Sequence, residues 1–168
     1  MALPTLQSNI SEGRAVERQP LAPSPSSDDL GAIFQRAGLS DDLHAIEERL
    51  FARTAARAPQ LAAAGAHTIA AGGKRLRAAL VLLSARLGAY DLERASRPAA
   101  AVELLHTASL VHDDLVDHAH RRRGHITVHA RWSNAAALML GDYFFAVSAN
   151  ELAAEPDPRI IRFYADAA

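Results

Sequence analysis

Apolar side chains recur at helical spacing through nearly all of the chain beyond residue 28, and this periodicity constrains the fold more than any other feature. Leu43, Ile46 and Leu50, for example, are three and four residues apart and would share one apolar face. No alternating run of strand length and no internal repeat interrupts the pattern. The sequence therefore predicts an all-α protein built as a helical bundle.

Glycine, proline and N-capping residues divide this pattern into separate helices. The signals predict one helix ended by Gly38, one capped by Ser40, one begun by Pro59, one from about 74 to 87, one from Ser96 and Pro98 to about Ala119, one over 134–155 and one begun by Pro158. A loop is predicted over 120–133.

Composition limits the function classes that remain. Hydrophobic residues make up 49% of the 168 residues and the net charge is -1, so the chain has no general attraction to nucleic acid. The absence of cysteine excludes disulfides and thiolate metal sites. No apolar run approaches the ~18 residues that span a bilayer, and the first residues do not read as a signal peptide. These features predict a cytoplasmic protein without a transmembrane segment, with a disordered leader over 1–27 and one helical domain over 28–168.

Three carboxylates are crowded at the end of the long helix, in the stretch "HDDLVDH". Asp113 and Asp117 are four residues apart and project from one face, and Asp114 is adjacent to Asp113. Like charges at this spacing repel, and the backbone dipole disfavours anions at a helix C-terminus. Mg²⁺ prefers oxygen ligands and is usually held by one or two carboxylates together with phosphates. The cluster therefore predicts a magnesium site.

Two basic clusters complement these carboxylates. Arg122 and Arg123 follow the acidic stretch closely, and guanidinium groups bind phosphate oxygens in a bidentate manner. Lys74 and Arg77 follow a pair of glycines and are expected three residues apart on one side of a helix, where free backbone amides add to an anion site. Two separate phosphate-binding clusters suggest two diphosphate substrates.

Four motifs carry a resemblance to a known family: "GGKRLR", "ELLHTASLVHDDLVD", "RRRG" and "GDYFFA". In this order and spacing they resemble the first half of the trans-isoprenyl diphosphate synthases, the polyprenyl synthetase family of chain-elongating prenyltransferases. The resemblance runs from about Ser40 to the last residue. It implies an antiparallel helical bundle of the isoprenoid synthase type, here with the first-half helices only.

The resemblance also implies a role for each matched residue. The magnesium ligands, bridged to an allylic diphosphate, would be Asp113, Asp114 and Asp117, with Arg122 contacting that diphosphate. Isopentenyl diphosphate would bind to Lys74, Arg77, His106 and Arg123. The floor of the product tunnel would be set by Ala108 and Ser109, and their small side chains favour a medium or long product.

Departures from the family pattern concern the second half of the fold. The family's second aspartate-rich motif lies on later helices, and the sequence contains no second DDxxD. The magnesium site would then be only half coordinated. This implies a split synthase whose partner subunit, or another copy of the chain, completes the site; a truncated fragment would look the same. Ala78 also stands where the family commonly has proline.

Three other interpretations stay open at this point. A non-catalytic subunit that only regulates product length in a heteromeric synthase would resemble this chain, although the intact acidic motif argues against it. A di-iron bundle is suggested by Glu103 and His106, but no second E-x-x-H follows. A zinc site could use several histidines, but no set has clear ligand spacing. These are His112, His118, His120, His125 and His129.

Overall fold

The computed structural model describes residues 27–155 and 157–167, and within them the chain forms eight helices and one short hairpin. The helices are α1 (Ser27–Arg36), α2 (Ser40–Ala52), α3 (Pro59–Ala70), α4 (Leu76–Ala85), α5 (Leu92–Val116), α6 (Val128–Arg131), α7 (Asn134–Ala153) and α8 (Pro158–Ala167). The hairpin strands are β1 (Arg121–Arg122) and β2 (His125–Ile126). The prediction of an all-α bundle is confirmed.

Helix α5 lies at the centre of the fold and packs mainly against α7, and then against α4 and α2. Leu104 and Ala108 of α5 and Leu140 and Phe144 of α7 are fully buried in the core. Burial of such side chains is the main favourable term in folding. Since α5 is held along its length, the acidic turn at its C-terminal end has a fixed position.

The first helix boundaries follow the sequence prediction in part. Gly38 ends α1 with a φ of 64°, and the Leu39 amide donates to the Phe34 carbonyl at 2.9 Å, as in a Schellman motif. The prediction of Ser40 as N-cap is wrong. Leu39 holds the N-cap position without a side-chain hydrogen bond, and Ser40 is the first helical residue. Pro59 begins α3 as predicted.

The predicted start of the long helix at Ser96 and Pro98 is wrong. Helix α5 begins at Leu92, and the side chain of Asp91 caps it by accepting the Glu93 amide at 2.9 Å. Pro98 lies inside the helix. It has no N–H, so the carbonyl four residues earlier accepts no helical hydrogen bond from it. One lost bond is tolerated because 25 residues of helix are fixed by packing on both sides.

The C-terminal end of α5 lies at Val116 rather than at Ala119. His118 has a φ of 52°, and the Ala119 amide donates to the Asp114 carbonyl at 3.0 Å. This is the same closing pattern as at Gly38, with histidine in the left-handed position. The prediction of a loop over 120–133 is also wrong in part, because the hairpin and α6 lie within it.

A buried carboxylate ties α7 to α2. The side chain of Glu151 has no solvent exposure and accepts hydrogen bonds from Arg49 at 2.7 and 2.9 Å, and it also pairs with Arg53. Helix α8 is attached through Tyr164, whose hydroxyl contacts Ser148 of α7. None of the helices in the described ranges is both long and apolar enough to cross a membrane. The predicted leader lies outside the described residues apart from Ser27, which begins α1.

Candidate active site

A cavity of about 810 Å³ opens between the α3–α4 loop, α5 and the hairpin. Its charged and polar lining includes Lys74, Arg75, Arg77, Glu103, His106, Asp114, Arg122 and Arg123. Apolar side chains such as Leu110 and Val111 of α5 line it as well. The two basic clusters that are far apart in sequence therefore meet in one cavity, together with His106 and one of the three aspartates.

The first basic cluster lies on the approach to α4. This helix begins at Leu76, so the prediction that Lys74 and Arg77 share one helical face is wrong: Lys74 lies in the preceding loop and Arg77 in the first turn. Between them Arg75 is buried, with a φ of 46°. Its guanidinium donates to the Glu47 carboxylate at 3.3 Å and to the Ile69 carbonyl at 3.2 Å. Arg75 therefore holds the loop, and Lys74 and Arg77 line the cavity on either side of it.

Glu103 caps the N-terminus of α4. Its buried carboxylate accepts the Ala78 amide at 3.1 Å. A proline at position 78 would have no N–H to donate, so alanine at this position permits a hydrogen bond that the common family residue cannot make. One of the backbone amides that were predicted to bind an anion therefore donates a hydrogen bond within the protein instead. The bond also gives Glu103 a structural role that needs no di-iron site.

The second basic cluster lies on the hairpin. Arg123 and Gly124 form its turn with φ values of 50° and 83°, as a type I′ turn requires, and Arg122 pairs with His125 across the strands. Arg123 reaches the α3–α4 loop and donates through Nη1 to the Gly72 carbonyl at 2.5 Å. A Cβ at residue 73 would lie 2.7 Å from the same Nη1 atom, so a side chain at this position would displace the Arg123 guanidinium.

The three aspartates occupy different environments. Asp114 is buried, and its Oδ1 accepts a hydrogen bond from Arg122 Nε at 2.8 Å. Asp113 and Asp117 are exposed and do not line the cavity. Oxygen ligands at the end of α5 suit Mg²⁺ chemically. Within 27–155 and 157–167, however, no three aspartate, glutamate or histidine side chains form a group that could hold a metal ion. A cation bound at this helix end would need further oxygen ligands, such as those of a phosphate.

His106 is half-buried beside the basic side chains. Burial is the main cause that lowers its pKa below the ordinary value of 6.5, and the positive charge of Arg77 is the next. Arg123 and Arg122 act in the same direction, whereas the charge of Glu103 opposes them. His106 is therefore neutral at pH 7, and its ring offers one donor and one acceptor without adding a charge.

The two predicted chain-length residues lie one helical turn before the acidic cluster. Ala108 is fully buried in the core between the helices, and neither it nor Ser109 lines the cavity. The Ser109 hydroxyl donates to the Leu105 carbonyl at 3.1 Å within its own helix. Their influence on product length stays a prediction.

Sequence reasoning missed a second group of residues, which hold the hairpin from behind. His67 of α3 lies at hydrogen-bond distance from the Ile126 carbonyl and lines the cavity, and Arg131 of α6 and Trp132 contact the His67 ring. The available signal was an imidazole in the otherwise alanine-rich stretch of α3, but nothing in the sequence indicated what it would contact.

The chain is similar to known proteins over most of its length. The family model described as polyprenyl synthetase matches residues 58–168. Component 2 of the heptaprenyl diphosphate synthase of Geobacillus stearothermophilus is 50% identical over 121 residues, which are 72% of this chain and 38% of that protein. Component 2 of the Bacillus subtilis enzyme is 41% identical over 74% of this chain and 36% of that protein.

Solved structures give the same result for the fold. A polyprenyl synthase from Caulobacter crescentus, complexed with calcium and isoprenyl diphosphate, matches with a TM-score of 0.76 and 32% identity over 87% of this chain and 43% of that one. A decaprenyl diphosphate synthase from Rhodobacter capsulatus matches with a TM-score of 0.75 and 36% identity over 84% of this chain and 42% of that one.

The helical bundle, with two basic clusters beside an acidic helix end, defines an all-α class of protein. Within that class, the matches above show that the chain belongs to the polyprenyl synthetase family. It spans less than half the length of the four relatives described above.

Proposed function

We propose that this chain supplies the first half of a trans-prenyltransferase that condenses isopentenyl diphosphate with an allylic diphosphate. The second half, with the other aspartate-rich motif, would come from a partner polypeptide, from another copy or from a continuation of the chain. The supporting observation is the convergence of Lys74, Arg77, Arg122 and Arg123 on a single cavity with His106.

The side chains of the cavity suit this chemistry. Arginine and lysine neutralise the charge of two diphosphates, and a neutral His106 adds a hydrogen bond without increasing the repulsion between cations. Leu110 and Val111 offer an apolar surface to a prenyl tail next to the charged region. The cavity therefore combines phosphate recognition with room for a hydrocarbon chain.

The family relationship suggests Mg²⁺ as the cofactor. We propose Asp113, Asp114 and Asp117 as the residues that would hold it, together with diphosphate oxygens. Arg122 binds Oδ1 of Asp114, and the carboxylate has a second oxygen to offer. The ion, when bound, would stabilise the negative charge of the departing diphosphate as a Lewis acid.

Two observations support a partner for this chain. The two relatives described above are named as component 2 of a heptaprenyl synthase. In addition, the outward face of α4 carries leucines at positions i, i+4 and i+7 that the described residues leave exposed, namely Leu76, Leu80 and Leu83. Leu87, in the turn just after α4, is also exposed. An apolar helix stripe in water favours burial against another element.

Binding to the isolated chain tests the substrate half of the proposal. We expect isothermal titration to detect isopentenyl diphosphate binding, and Arg77→Gln and Arg123→Gln each to weaken it by about tenfold or more, as expected when a charged hydrogen bond is lost. Arg57→Gln, in the α2–α3 connection outside the cavity, is the matched control and should bind like the wild type. Equal affinity of all three variants would contradict the assignment of the cavity.

Activity tests the partner half. The chain should be purified from its native cells with any stoichiometric partner and assayed for prenyl transfer with Mg²⁺. We expect activity only with both halves present, and its loss in a complex carrying Asp113→Asn and Asp117→Asn. Full activity of that double variant would favour a non-catalytic subunit. Turnover by the chain alone, as one polypeptide without a partner, would refute the need for a second half.

A further inference from the structure

The hairpin that carries Arg122 and Arg123 is too short to hold its own position. Each strand has two residues, and an isolated hairpin of this size is not stable in water. The Thr127 amide closes its base by donating to the His120 carbonyl at 3.1 Å. Contacts with other elements must therefore decide how the two arginines are aimed at the cavity.

His67 makes the contact between the returning strand and α3. Its Nε2 lies 2.8 Å from the Ile126 carbonyl oxygen, and its Nδ1 lies 3.0 Å from Arg131 Nη1. A guanidinium can only donate, so Nδ1 accepts and Nε2 carries the hydrogen that is donated to Ile126. Both ring nitrogens are used, which leaves His67 no hydrogen bond to offer a phosphate although it lines the cavity.

Aromatic contacts fix the orientation of this ring. The Trp132 ring meets the His67 ring edge-on at 5.4 Å between centroids, and the Arg131 guanidinium lies 4.8 Å from the centroid of the Trp132 ring. The imidazole is thus held between α3 and the segment after the hairpin. Ile126 pairs with Arg121 across the strands, so a bond to the Ile126 carbonyl fixes the strand adjacent to Arg122.

We infer that His67 is a positioning residue for the phosphate-binding hairpin, which it holds through its Nε2–H donor to the Ile126 carbonyl. This inference rests on the proposed function for its effect on diphosphate binding. The anchoring itself is a property of the free chain. It makes α3 part of the binding machinery, although no residue of that helix is assigned a contact with substrate.

The first test needs no variant. Long-range nitrogen–proton NMR of the histidine rings should show His67 as the neutral Nε2–H tautomer near pH 8. The Nδ1–H tautomer would overturn the inference, because the ring could not then donate to Ile126.

The second test compares His67→Leu with His67→Gln. Glutamine keeps a donor near the position of Nε2, whereas leucine keeps the bulk and has no donor. Hydrogen exchange of the free chain should rise over 121–126 in the leucine variant, while the glutamine variant stays near the wild type. His44→Leu, at an exposed histidine of α2, is the control and should not change exchange in the hairpin. Unchanged exchange in His67→Leu, or equally raised exchange in both variants, would refute the anchoring role.

Titration with inorganic pyrophosphate then measures the effect on binding. We expect about a tenfold weaker affinity for His67→Leu, the size of one net hydrogen bond, and an affinity within about threefold of wild type for His67→Gln. If the wild-type chain binds no pyrophosphate, the proposed function loses its support, while the exchange data still decide the anchoring. If His67→Leu unfolds globally, the tautomer of His67 and the His67→Gln variant still test whether His67 anchors the hairpin.

Discussion

Helices α5 and α7 approach each other so closely at Gly141 that substitution by alanine gives a sharp test of the packing. His112, next to the acidic cluster, places its ring against this glycine and lies 3.1 Å through Nε2 from the Leu138 carbonyl. A Cβ on residue 141 would lie 2.6 Å from His112 Cε1 and nearer still to two other ring atoms. Ordinary contact begins at 3.4 Å, so the ring must move by about 0.8 Å at Cε1 and further at the nearer atoms.

Gly141→Ala has two effects that change the free energy of unfolding in opposite directions. Helix propensity alone would stabilise the protein by roughly 0.5–1 kcal/mol. Overpacking costs about 1–3 kcal/mol, and losing the bond to the Leu138 carbonyl adds about 1 kcal/mol. We therefore expect a net destabilisation of about 1–3 kcal/mol, measured by urea denaturation of the chain.

Two controls isolate the cause. Gly31→Ala, in α1 with no atom within 4 Å of the new Cβ, should be neutral or slightly stabilising. In a His112→Ala background the space is free, so Gly141→Ala should become stabilising there. Stabilisation by Gly141→Ala in the wild-type background would show that the two helices are not in such close contact and would refute the reasoning.

The remaining predictions concern buried and titrating charges. Glu151→Gln leaves Arg49 and Arg53 without their carboxylate, and we expect about 2 kcal/mol of destabilisation in urea, less than for a fully buried pair because both arginines are partly exposed. Glu48→Gln, at an exposed pair, should change stability by less than about 0.5 kcal/mol. If Glu48→Gln and Glu151→Gln destabilise the protein equally, burial does not determine the strength of these ion pairs. For His106, the folded pKa lies below the unfolded one, so the unfolded chain binds more protons and stability falls as the pH falls through that interval. NMR titration should give a pKa below 6.5 that rises with pyrophosphate, and urea curves of His106→Gln should depend less on pH; a ring pKa at or above 6.5 would contradict this.

Helix periodicity was sufficient to predict the fold class, because the apolar stripes that face α5 also determine the bundle. It failed at helix ends where the capping residue was not the expected one. Helix α5 begins after Asp91 and not at Ser96 or Pro98. The capping bond and the backbone hydrogen bonds of the added helical residues stabilise the helix by more than the one hydrogen bond missing at Pro98 costs. His118 ends α5 in a left-handed conformation that sequence rules assign to glycine or asparagine.

The site was predictable where charge alone carries the information. The lysine and arginine clusters that the sequence singled out by their charge both line the cavity. Contacts that depend on tertiary geometry were not predictable: the cap from Glu103 to Ala78 joins residues 25 positions apart, and the bond from His67 to Ile126 joins residues 59 positions apart. Neither pair has a local signature, because each bond forms only after the helices pack.

The left-handed backbone of Arg123 links the thermal stability of this protein to its proposed role in binding a diphosphate. A non-glycine residue at positive φ costs of order 1 kcal/mol, so asparagine or glycine at this position would relax the turn. The same exchange removes the long cationic arm that reaches the Gly72 carbonyl beside the cavity. Engineering for heat resistance by preferred turn residues would select such a change first, and under the proposed function the more stable protein would bind phosphate less tightly.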